Sequence, residues 1–279
     1  SQTGEISSYA NKCGVAKNWC IAAVGDYTFH VSNVTGEGTS FASPAVTGAA
    51  ALVQQKYPWM NGDLIRQSIL STATDVGDAG VDAVYGWGLL NASKAVNGPA
   101  LFDKRLALGD YVNVSFDNYT SSFSNDISGD AGLTKSGSGT LILSGNNTYT
   151  GKNIVNGGIL KVNGQVVSQV DIQSNGTLSV DGGIIQNNVL NHGGTMINEG
   201  NGTTIHGIYM ASSEAVTEHA MGAEFKVHGR VILNNSKLYI KTPGAGHNIY
   251  KDIHSSEGIR GIVLSASEGI ESTFGSVVV

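Results

Sequence analysis

Gly139-Thr140-Leu141, Gly158-Ile159-Leu160, Gly176-Thr177-Leu178 and Gly194-Thr195-Met196 recur at intervals of 19, 18 and 18 residues. Each triplet opens an alternating stretch, such as Leu141-Ile142-Leu143 or Leu178-Ser179-Val180, in which side chains two apart share a face. Short strands joined by Gly and Asn turns, with one aliphatic position per interval, fit a parallel β-helix. Every coil rests its aliphatic residue on the coil before it, so no coil is stable alone. An antiparallel sandwich also uses short strands and turn residues, but the near-constant interval favours the solenoid. Beyond about Ile205 the repeat fades, although Val231-Ile232-Leu233 and Leu238-Tyr239-Ile240 still read as strands.

Composition agrees with two regimes in one chain. Glycine makes up 38 of 279 residues, about twice ordinary usage, and the excess lies after residue 128. A hydrophobic fraction of 41% supplies a core and argues against wholesale disorder. The net charge is −6 with no basic run or stripe, which gives little support to a nucleic-acid or anionic-membrane surface. The longest apolar stretch, Ala45 to Val53, is broken by Thr47 and Gly48 and is far too short to span a bilayer. Ser1-Gln2-Thr3-Gly4-Glu5 has no signal-peptide pattern, so if the protein is exported its signal is expected outside this sequence.

Upstream of the repeat the periodicity changes. Ile21-Ala22-Ala23-Val24-Gly25 reads as a short apolar strand, and Gly36-Glu37-Gly38-Thr39 as a glycine-rich turn. A helix follows from Ser40, with Phe41, Ala45, Ala49, Leu52 and Val53 near one face. Its Ala/Gly content suits a helix buried on most sides; Pro44 is tolerated in the first turn and Pro58 closes it. Asn61 or Asp63 caps a second helix whose stripe is Leu64, Ile65, Ile69 and Leu70. Tyr85-Gly86-Trp87-Gly88 is a tight turn into a last helix from Asn91 to Val96, ended by Gly98-Pro99.

Gly38-Thr39-Ser40-Phe41-Ala42-Ser43-Pro44 is the segment with chemical meaning. A serine between a glycine turn and a helix start has its hydroxyl exposed beside free N–H groups and the positive end of the helix dipole. A tetrahedral oxyanion is the kind of charge that such a place favours. By itself Gly-Thr-Ser reads equally as a helix cap. The longer string, continuing Ala45-Val46-Thr47-Gly48-Ala49-Ala50-Ala51-Leu52, closely resembles the nucleophile segment of subtilisin-like serine proteases. Tyr85-Gly86-Trp87-Gly88 and Ala92 to Ala95 resemble the closing segment of the same domain, while Ala23-Val24-Gly25 stands where Ala-Pro-Gly is usual. Gly137-Ser138-Gly139-Thr140-Leu141-Ile142-Leu143-Ser144-Gly145-Asn146-Asn147-Thr148-Tyr149-Thr150-Gly151 resembles the passenger-associated repeat of bacterial autotransporters.

The resemblance implies a partial α/β subtilisin-like domain over 1–102, a connector over 103–128 and an all-β, right-handed parallel β-helix over 129–279. It implies that Ser40 is the nucleophile and that its own N–H helps form the oxyanion hole. The triad runs Asp, His, Ser in this family, so the Asp, the His and the oxyanion Asn are expected upstream of Ser1. His30, the only histidine before Ser40, lacks the family context of a base, and Asp26 reads as a solvated loop residue. Expected partners are polypeptide substrates, the missing N-terminal catalytic segment and a C-terminal translocator barrel of the same protein. No cofactor or metal is expected: His192, His206, His219, His228, His247 and His254 show no ligand spacing, and Asp171 and Asp181 read as turn or edge residues. In an exported protein Cys13 and Cys20 are candidates for a local disulfide; two unpaired buried thiols are the alternative. The implied activity is serine endopeptidase at the cell surface or in the medium, with the isolated chain nearly inert. An adhesin-like or structural passenger with a remnant protease segment is the competing function.

Overall fold

A computed structural model describes residues 5–29, 34–220, 222–234 and 236–241, and the short strands 253–255, 259–260 and 263–264. The chain divides into two compact units, Ser1–Gly109 and Asp110–Val279.

In the first unit, β1 (Asp26–Phe29) and β2 (Val34–Glu37) form an antiparallel pair with Asp26 opposite Glu37. This pair was not legible in the sequence. Helix α1 (Thr39–Lys56) follows directly, and at its C-cap the Tyr57 N–H donates to Val53 O at 2.8 Å. The expectation that α1 is buried on most sides is not met among the described residues: of its 18 residues only Ala49 and Val53 are buried, and Leu52 is 49% exposed. Small side chains let a helix be covered closely, but the first unit places little against this one. Pro44 also sits later than expected, at the sixth helical position, where its missing N–H removes the partner of the Ser40 carbonyl. Helix α2 (Gly62–Ser71) is capped by Asn61, whose Oδ1 accepts from Leu64 N at 2.9 Å; Asp63 stands in its first turn. The stretch from Ile21 to Gly25 makes only isolated bridges, Ile21 with Gly86 and Ala22 with Leu89, rather than a full strand.

The turn at Tyr85–Gly88 is glycine-dependent for a steric reason. A Cβ on Gly86 would stand 2.2 Å from Cys20 O, and both Gly86 and Gly88 have positive φ, at 63° and 106°. The close approach lets Trp87 N donate to Cys20 O at 2.9 Å and Trp87 Nε1 donate to Asn18 O at 2.8 Å. Trp87 then packs with Leu70 and Leu106, against Ile21, Ala73, Val81 and Leu101, to make a small core. A disulfide joins Cys13 to Cys20 across the 3₁₀ turn Gly14–Trp19. Short helices α3 (Ala92–Ala95) and α4 (Lys104–Ala107) follow, capped by Asn91 and Asp103.

The second unit is a right-handed parallel β-solenoid, in which the described residues form three sheets of eight, eight and six strands. The recurring Gly-x-Leu/Met triplets are the same strand of the second sheet in successive coils. Leu141 pairs with Leu160, Leu160 with Leu178, and Leu178 with Met196. All four are 0% exposed. Each such leucine stack contributes roughly 1.5–3 kcal/mol per side chain removed from water. The recurring glycine has a cause too: a Cβ on Gly176 would meet Val155 O at 2.0 Å, so the chain turns the corner only without one. Parallel pairing removes the antiparallel alternative.

The solenoid starts at Tyr111–Ser115 and Thr120–Phe123, inside the stretch that the sequence assigns to a connector. Val112, Val114 and Phe123 point inward and are 0% exposed, but the Gly-x-Leu triplet is missing there, so the repeat is invisible. At the other end the coils continue past Ile205. Thr195 pairs with Val216, and Val216 with Lys237. The repeat fades because the interval lengthens and the stacked position changes from Met196 to Thr217, a buried threonine bonded to Tyr209 Oη at 2.5 Å.

Candidate active site

Ser40 is the second residue of α1 and is exposed. The cap of α1 is Gly38, with φ 149° and ψ 154°, backbone angles open to glycine alone. Ser40 is therefore not the helix cap. Ser40 lies exposed in the first turn, at the positive end of the helix dipole, and the Phe41 N–H there is taken by Gly38 O at 3.0 Å. The arrangement suits a nucleophile with an anion-stabilising donor on its own backbone.

The turn that presents Ser40 is held from behind. Gly38 N donates to Gly25 O at 3.0 Å, and a Cβ on Gly25 would stand 2.7 Å from Gly38 O. The Tyr9 hydroxyl donates to Asp26 Oδ1 beside the same contact. That donation, opposed by Ser7, holds the Tyr9 hydroxyl above its ordinary range. Asp26, read from sequence as a solvated loop residue, instead begins β1 and accepts this bond. Tyr27 packs on Phe41 with ring centroids 6.4 Å apart. A cavity of about 280 Å³ opens beside the first turns of α1, lined by Tyr9, Ala23, Val24, Gly25, Ser43 and Val46 among others.

Among the described residues Ser40 has no histidine or carboxylate as hydrogen-bond partner. His30 lies outside the described residues, as does His247, and only the backbone of His254 is described. The other histidines belong to the solenoid: His206 and His228 stack with centroids 4.5 Å apart, and His219 is buried. Asp171 pairs with Lys152 at 3.0 Å, and Asp181 with Lys161 at 3.3 Å, so both tie neighbouring coils. Among the described residues no cluster of three or more His, Cys, Asp or Glu is placed to hold a metal. Sequence reasoning missed Tyr9, whose only signal is an aromatic residue in a polar N-terminal segment.

Residues 1–88 match the subtilase family and residues 133–162 match the passenger-associated transport repeat. The Neisserial autotransporter lipoprotein NalP of Neisseria meningitidis is 38% identical over 246 residues, covering 85% of this chain and 22% of the relative. An extracellular serine protease of Serratia marcescens is 35% identical over 243 residues, covering 65% of this chain and 23% of the relative. Subtilisin DY of Bacillus licheniformis is 48% identical over 58 residues, 21% of this chain and 20% of the relative. The chain spans about a fifth of the length of these relatives. Its place is outside the Gram-negative outer membrane, at the cell surface or in the medium. A subtilase segment followed by a passenger repeat on a parallel β-solenoid is the arrangement of the subtilisin-like serine protease autotransporters, and this chain carries it.

Proposed function

We propose that the protein to which this chain belongs is a serine endopeptidase that forms an acyl-enzyme on Ser40. The observation that carries the reading is the exposed Ser40 in the first turn of α1, behind a glycine cap and within the subtilase match. In this reading Ser40 Oγ attacks the scissile carbonyl of a polypeptide. The oxyanion that forms is stabilised by the Ser40 N–H and the helix dipole, and the amine leaves to give the ester. The general base, its orienting carboxylate and the second oxyanion donor come from sequence outside this chain. The small, open face of α1 is where that catalytic segment packs. The solenoid is the passenger stalk, and a translocator barrel of the same protein carries both out.

Without a histidine the Ser40 hydroxyl is a weak nucleophile, and this chain alone is nearly inert. In subtilisin, losing the serine or the histidine costs about 10⁶ in kcat. The test is fluorophosphonate labelling of the native gene product, with intact mass and the labelled residue read by mass spectrometry. A longer polypeptide labelled at Ser40, with labelling lost in Ser40→Ala, supports the reading. Native protein that does not label overturns it and leaves the solenoid, as an adhesin-like or structural passenger, as the functional part.

A further inference from the structure

Two glycines back to back fix the peptide that presents Ser40, and the group closing that contact comes from elsewhere in the chain. The segment carrying Tyr9 is pinned on both sides. Ile6 N donates to Tyr85 Oη at 3.0 Å, and Gly14 N donates to Ala83 O at 2.7 Å. Between these anchors a turn closed by Ala10 N to Ser7 O at 3.0 Å delivers the Tyr9 ring. Its hydroxyl lies 3.2 Å from where a Gly25 Cβ would be, and it donates to Asp26, the next residue.

Asp26 stands opposite Glu37 in the hairpin, and Gly38, Thr39 and Ser40 follow Glu37 immediately. The Asp26 end of the hairpin and the adjoining Gly38–Gly25 bond are thus the fixed points that immediately precede the nucleophile. A tyrosine O–H donating to a carboxylate is a charge-assisted bond, stronger than a neutral one. Misplacing a reacting group by about an ångström costs roughly 10²-fold in rate. We infer that Tyr9, acting through Asp26, is a positioning residue for Ser40. It locks the Gly25–Gly38 contact from an N-terminal segment 31 residues away from the nucleophile. The inference rests on Ser40 being the nucleophile.

The experiment uses the full-length native protein and compares second-order fluorophosphonate labelling rates, peptide-hydrolysis kcat and KM, and thermal midpoints. Tyr9→Phe keeps the ring and loses only the hydroxyl. It is expected to lower kcat and the labelling rate about tenfold with KM and thermal midpoint unchanged. Asp26→Ala gives the same loss, and Tyr9→Phe with Asp26→Ala together lose no more than either alone. Asp26→Asn, which retains an accepting Oδ1, recovers most of the rate. Full wild-type labelling with Tyr9→Phe within twofold of it overturns the positioning role and leaves Ser40 standing. Additive losses in the double variant, or losses that follow a lowered thermal midpoint, overturn it as well. Wild-type protein that does not label removes both readings.

Discussion

Helix α1 and the second sheet of the solenoid are both built from small and aliphatic residues, yet they treat them oppositely. The solenoid buries its inward residues completely: Leu141, Leu143, Leu160, Val162, Leu178 and Val180 are 0% exposed. In α1 the apolar residues Ala51 and Leu52 face outward. A coil finds its cover in the next coil, twenty or so residues along the same chain, so its core is a local matter. A helix at the heart of an α/β domain depends on strands distant in sequence. The difference teaches that apolar character in a sequence reports a demand for burial, and that only topology says whether nearby sequence can meet it.

The largest effect concerns chemistry and leaves both folds alone. In the full-length protein, Ser40→Ala is expected to reduce peptide hydrolysis by about 10⁶ with an unchanged thermal midpoint; retention of more than a hundredth of the rate would place the nucleophile elsewhere. Next comes burial itself. Leu160→Ala should cost the chain 2–5 kcal/mol in urea unfolding, whereas Leu52→Ala, at 49% exposure, should stay within about 0.5 kcal/mol. Equal costs would erase the contrast.

A third effect, smaller, probes the polar layer of the solenoid. Asn198 Oδ1 accepts from Thr203 Oγ1 at 2.5 Å while its Nδ2 meets His219 Nδ1 at 2.7 Å. Asn198→Ala leaves these buried groups unsatisfied and should cost about 1–3 kcal/mol.

Lys135 gives a signature in the pH dependence of stability. It is 0% exposed, donates to Ser136 O, Gly137 O and Gly157 O, and lies 4.8 Å from the Phe116 ring. Burial pulls its pKa down to about 8, with Asp117 opposing. The unfolded chain holds that proton up to about pH 10.4, so this group adds stability as pH rises from about 8 to about 10. The wild type should gain on Lys135→Met across that window; a constant difference between them would refute the assignment.

The smallest effect is at Asp181. Burial raises its pKa, but hydrogen bonds from Asn201 and Lys161 outweigh this and hold it below the ordinary value. Its stabilisation is therefore present above the ordinary carboxylate range and lost as pH falls through the lowered folded value. Asp181→Asn should remove less than about 1 kcal/mol of that acid sensitivity.

The coils from Gly139 to Met196 were legible because the triplet states both a steric need at glycine and a stacking position at the aliphatic residue. The first coils were not, since Val112, Val114 and Phe123 meet the stacking need without the glycine. The last coils were hidden for the opposite reason: Asn198 and His219 occupy inward positions and make the core there with hydrogen bonds. At the candidate site, the Ser40 segment stood out in the sequence because it is long and specific. The Tyr9–Asp26 contact did not, because it joins separate segments that no periodicity records. The exposure of α1 was equally hidden, since its residues state a need for burial without naming a partner.

The parallel register also makes the solenoid a ruler. Neighbouring strands lie about 4.8 Å apart, so a sheet of eight spans about 34 Å. Insertion or deletion of one whole coil changes that reach by about 5 Å and leaves every other rung in place. The length of such a rod is quantised, and evolution can adjust it one step at a time without redesigning anything at either end.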